Sequence, residues 1–138
     1  MGAWYTIGAV LGGGVGLGVI AAGLLAVSTR GLVAAALLAA AAGLLLAIPF
    51  EETYLMVAAV VGAVVGAASG SIVMRGALRR GGTRLALAVY MGAAGIVLML
   101  LAAIPLVGYL EVVALPLLAI RMRAREPERH AGLRTLAK

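Results

Sequence analysis

The chain has no cysteine, and among its 138 residues there is one histidine, one tryptophan and one phenylalanine. Without cysteine there is no disulfide, no thiolate nucleophile and no thiolate-held metal or haem. The single histidine, His130, lies in a polar tail with no constellation of partners, so it is expected at the surface rather than in an active site. Charge is scarce as well: 12% of residues are charged, against about 25% in soluble domains. The net charge of +6 could point to nucleic acid. However, the 11 Lys and Arg fall only in short connections and in the tail, without the interleaved aromatics of single-strand binders. Nucleic acid is therefore excluded as a partner.

Apolar residues dominate instead. They make up 64% of the chain, where a soluble domain carries about 45–50%. One domain of this length could not bury so much apolar surface in water, whereas a bilayer accepts it. The first run, Trp4 to Val27, is uncharged for 24 residues, long enough to cross a bilayer with some tilt. Met1-Gly2-Ala3 offers no basic residue, and the run exceeds a signal peptide's apolar region, so a retained span is expected. Gly8, Gly12 and Gly16 form a doubled GxxxG pattern, with Gly14 and Gly18 on a neighbouring face; Gly62, Gly66 and Gly70 repeat it later. In lipid such faces let helix backbones approach closely. They are expected to pack spans one and three together, or one copy against another.

Five spans are expected, at about 4–27, 32–50, 54–74, 85–103 and 106–122, in an all-α transmembrane bundle with a basic tail over 123–138. Ser28 to Gly31, Glu51 to Thr53 and Arg75 to Arg84 are read as connections. The uncertain stretch is Leu85 to Ile120, 36 residues with one charge and prolines at Pro105 and Pro116. As a single kinked helix it would be about 54 Å long, against a hydrocarbon core of about 30 Å. Charge favours two spans with a turn at Ile104-Pro105. An odd number of spans puts every basic residue in the cytoplasm and Glu51 and Glu52 outside, as the positive-inside rule requires. The expected location is the cell membrane, with the N-terminus outside and the C-terminus in the cytoplasm. Trp4, Tyr5, Phe50, Tyr54 and Tyr109 would then gather at the outer interface, where aromatic rings prefer to sit.

Glu111 is the one ionisable residue placed inside a span, which is costly unless it faces protein, water or a partner. Either it holds a proton or cation in a conduction path, or it reaches the headgroups or a nearby hydroxyl. Glu51 and Glu52 are expected to form a solvated turn. Arg75, Arg79, Arg80, Arg84, Arg121 and Arg123 could contact anionic lipid or an acidic partner, or only fix orientation. No catalytic residue, metal or cofactor is expected.

Two short stretches resemble known families. Gly12, Gly14, Gly16 and Gly18 form a GxGxGxG run similar to the first helix of rotary ATP synthase ring subunits. Those proteins need a carboxylate in the following helix, and residues 32–50 have none. Ala131-Gly132-Leu133-Arg134-Thr135 looks like a loop motif of the MgtC membrane family, in which a further span follows; here it lies within the polar tail. Neither likeness carries a function over. The sequence leaves two expectations: a structural or accessory membrane protein that associates through glycine faces with itself or a larger complex, or a small oligomeric proton or cation channel using Glu111.

Overall fold

The computed structural model describes residues 2–104 and 106–124. The described residues form five α-helices: α1 (Ala3–Leu25), α2 (Thr29–Ala47), α3 (Thr53–Arg79), α4 (Arg84–Leu101) and α5 (Val107–Ala124). A 3-10 turn, Ile48–Phe50, follows α2, and no strand occurs among the described residues. The single long kinked helix is not formed. From residue 125 on, the expected tail lies outside the described residues, as does Pro105.

Local chemistry explains the breaks. Ser28 caps α2, its hydroxyl accepting from Gly31 N at 3.1 Å, which satisfies one of the free N–H groups of the first turn. The loop expected over 75–84 shrinks to residues 80–83, because α3 continues as a helix through Arg75 and Arg79. It stops where Gly81 takes a left-handed conformation (φ 88°). Gly82 N bonds to Ala77 O and Gly81 N to Leu78 O, both at 3.1 Å. This pair of bonds is a Schellman motif, whose left-handed residue is best served by glycine. The turn between α4 and α5 is closed by Leu106, a non-glycine residue at φ 71°.

The helices alternate in direction. The start of α1, the Glu51–Glu52 turn and the α4–α5 turn share one end, tied by two hydroxyls. Tyr5 donates to Ala103 O at 2.8 Å and Tyr109 to Trp4 O at 2.6 Å. The opposite end carries Arg30, Arg79, Arg80, Arg84, Arg121 and Arg123. α1, α2 with its 3-10 turn, α3 and α4 are each long and apolar enough to cross a membrane. α5 has the same 18 residues as α4 but carries three charges, Glu111, Arg121 and Arg123. It nevertheless runs from end to end, with Gly108 against Gly8 and Gly12, and Met122 and Arg123 beside Arg79 and Arg80. Outward faces are apolar throughout, among them Leu37 and Leu45 on α2, Leu85 and Leu100 on α4, and Leu110 and Leu117 on α5. The chain is a membrane-embedded helix bundle.

α1 stands at its centre and touches all four other helices. At about 100° per residue, its glycines fall on several faces. Gly14 and Gly18 face α3: a methyl group built on Gly18 would lie 2.5 Å from Ala67 N. Gly8, Gly12 and Gly16 turn instead to Tyr109, Gly108 and Gly95, so they serve α5 and α4 rather than span three. On α3, Gly62 and Gly66 receive the backbone at Leu11 and Val15, and Gly70 meets Val19 and Ala22. α2 adds an edge of Ala35, Ala39, Gly43 and Ala47, all buried. Two small clusters lock it in place: Ala35 and Ala39 with Ala21 and Ala63, and Ala47 with Val10, Leu55 and Ala59. The largest fully buried side chains are Leu55, Met74, Val15 and Ser71. Cohesion therefore comes from close backbone contact rather than from large apolar side chains.

This arrangement separates the glycines by consequence. A methyl on Gly66 would stand 2.8 Å from Val15 C, whereas one on Gly92 meets nothing within 4 Å. Gly66→Ile should destabilise the bundle by about 1–3 kcal/mol or more through overpacking. Gly92→Ala should be neutral or stabilise by up to ~1 kcal/mol through helix propensity. Thermal unfolding in mild detergent reads both; equal effects at the two positions would contradict the packing described.

Candidate functional site

Only one described ionisable side chain is buried within the helical span. Glu111 is 6% exposed, and neither carboxylate oxygen has a hydrogen-bond partner among the described residues. Its position follows from glycines on two helices. Gly108, one turn earlier on α5, lets that helix press onto Gly8 and Gly12 of α1. The carboxylate then lies against Gly12: a methyl there would be 2.8 Å from Glu111 Oε2, 2.7 Å from Gly108 Cα and 2.6 Å from Ala102 Cβ. Gly12 is nine residues into α1, or about 14 Å along it. That places Glu111 toward the middle of the bundle, deeper than its position on α5 alone implies. No described hydroxyl bonds to the carboxylate. The hydroxyls of Tyr5 and Tyr109 donate instead to Ala103 O and Trp4 O.

Glu51 and Glu52 are exposed in the turn before α3, Glu51 with φ 54°. The arginines divide by location. Arg75, Arg79, Arg80 and Arg123 line one cleft between α3 and α5, together with Ile72, Val73, Gly76 and Met122. Arg84 borders a separate cleft with Gly23, Leu24 and Met74, and Arg121 is exposed on α5. Ser71, buried on α3, donates from Oγ to Ala68 O at 2.7 Å. The same hydroxyl accepts from Arg75 Nη2 at 3.3 Å, while Arg75 Nε donates to Ser71 O at 3.4 Å.

The structure thus sets Gly12 against Glu111 and Gly8 against Tyr109, leaves Gly62, Gly66 and Gly70 in the α1–α3 contact, and collects four of the six arginines in one cleft at the far end. Sequence reasoning missed Gly95 and Gly108, which face Gly16, Gly8 and Gly12 across the interface. For Gly108 a signal was present, since it lies three residues before Glu111 and so on the same helix face. No protein-family model, curated protein or solved structure matches this chain.

A buried polar group without partners costs about 1–3 kcal/mol. Glu111→Met, which keeps the length and removes the polar oxygens, should therefore stabilise the bundle by about that amount. A fall in thermal stability would show that the carboxylate has a partner in the membrane.

Proposed function

We propose that the chain is a small integral membrane protein of structural or accessory type that associates with a second copy or with a larger membrane complex. It sits in the cell membrane with the α1 start and the Glu51–Glu52 turn outside and the arginine-bearing end in the cytoplasm. The separation of charge between the two ends supports that orientation. The observation that carries the association is the attachment of α4. Along its 18 residues only Met91 and Gly95 are buried. It meets α1 through Gly95 on Gly16 and Met91 on Gly23, while Val89, Tyr90, Ile96, Val97 and Leu100 face outward. The six motif glycines are engaged inside the chain, and α4, the least buried of the four long apolar helices, offers its outer face as the contact surface.

The absence of cysteine makes single-cysteine probes clean. Ile96→Cys should cross-link in native membranes, while Leu45→Cys on the outer face of α2 should not; native mass spectra should contain more than one chain. A lone chain under every mild extraction, with no cross-link at either position, sinks the association. Impermeant thiol reagents should reach Glu52→Cys from outside and Arg30→Cys only after lysis; the reverse pattern overturns the orientation.

One observation favours a second reading, a proton or cation site at Glu111: the carboxylate is buried and without hydrogen-bond partners. Because it faces α1 within one chain, a path through it would run inside a single bundle, not between copies. Vesicles with the wild-type protein should then pass protons or a monovalent cation, and Glu111→Gln should abolish the flux. Equal flux in both forms, or none in either, removes this reading.

A further inference from the structure

The basic end of the bundle contains more than scattered surface charge. Arg75 and Arg79 from the last turns of α3, Arg80 just after it, and Arg123 from the end of α5 border one cleft of about 110 Å³. Its walls are mixed: Ile72, Val73 and Met122 are apolar, and Gly76 leaves room on α3. No carboxylate among the described residues lies at this end. Glu51 and Glu52 sit at the other, and Glu111 is deep against Gly12. Arg75, Arg79 and Arg123 are like charges that repel one another where they meet, and the half-buried position of Arg75 weakens the screening that water supplies.

Arg75 is also held in place. Buried Ser71 fixes two of its donors, through the backbone oxygen and through Oγ, and Ala68 O in turn fixes that hydroxyl. A guanidinium has five N–H donors in a rigid fork, so three remain on a group whose direction is already set. A flexible arginine that served only to mark the cytoplasmic side would need no such brace.

We propose that this cleft binds the phosphate of an anionic lipid headgroup, with Arg75, Arg79 and Arg123 as its ligands and Ser71 as the residue that positions Arg75. Phosphate matches the chemistry, because its oxygens accept paired guanidinium hydrogen bonds. Lipid matches the location: the arginines begin where the apolar belt of α3 and α5 ends, and Ile72, Val73 and Met122 offer the adjoining chains an apolar wall. Basic clefts between helices at the cytoplasmic surface hold headgroups in this way.

The test uses the full chain in mild detergent with phosphatidylglycerol, phosphatidylcholine or inorganic phosphate added, read by native mass spectrometry and thermal shift. Phosphatidylglycerol should be retained and should raise the melting temperature; phosphatidylcholine and inorganic phosphate should do neither. Arg75→Gln, Arg79→Gln and Arg123→Gln should each weaken retention by about tenfold, the loss of one charge-assisted contact. Ser71→Ala should weaken it severalfold while leaving the melting temperature without lipid close to wild type. Arg30→Gln, at the same end on α2, should change nothing. Equal losses at Arg30 and the cleft arginines would show that only surface charge is read, and a shift with inorganic phosphate alone would make the ligand a free anion. Retention that arises only after Glu126→Gln and Glu128→Gln would assign the cleft to the chain's own tail. Each of these three results overturns the proposal.

Discussion

Every helix of the bundle reaches α1, and it does so largely where α1 has no side chain to hold it away. Inside a bilayer, apolar side chains gain nothing by leaving lipid for protein, so cohesion must come from close contact. Dispersion falls steeply with small gaps. Glycine at Gly14 and Gly18 removes the gap toward α3, and at Gly12 and Gly16 the gap toward α5 and α4. Each glycine lowers the intrinsic helix preference of α1 by up to ~1 kcal/mol. Four neighbours in contact with one helix offset that loss.

The candidate site follows from the same device. Glu111 occupies space that Gly12 and Gly108 leave open, at a depth set by how far α5 slides down α1. A larger residue at either glycine would push the carboxylate outward, and with it the only described charge inside the span. At the far end the logic is reversed. There α3 outlasts its apolar run and carries Arg75 and Arg79 on helical backbone, so that Ser71, one turn back, can brace an arginine.

Much of this architecture is legible in the sequence, and the failures have physical causes. Helix number and the break near Ile104 follow from length and charge, both of which the bilayer constrains strongly. The end of α3 was misplaced because arginine reads as a connection, although Arg75 to Arg79 are good helix formers and the true stop signal is Gly81. Gly62, Gly66 and Gly70 meet span one as the pattern suggests, whereas Gly8, Gly12 and Gly16 turn to α5 and α4 instead of span three. Periodicity gives angles around one helix and says nothing of which helix stands at each angle. The environment of Glu111 was out of reach for the same reason, since its depth is measured on α1 and its sequence position only on α5.

The central place of α1 bears on how the bundle comes together as it is made. α1 is made before its neighbours, and its contact faces belong to segments synthesised later: Gly14 and Gly18 wait for α3, Gly16 for α4, and Gly8 and Gly12 for α5. Until residue 108 has been inserted, the groove along Gly8 and Gly12 is covered by lipid or by another protein. The face of α1 that α5 covers can therefore close only after the other three helices have been made.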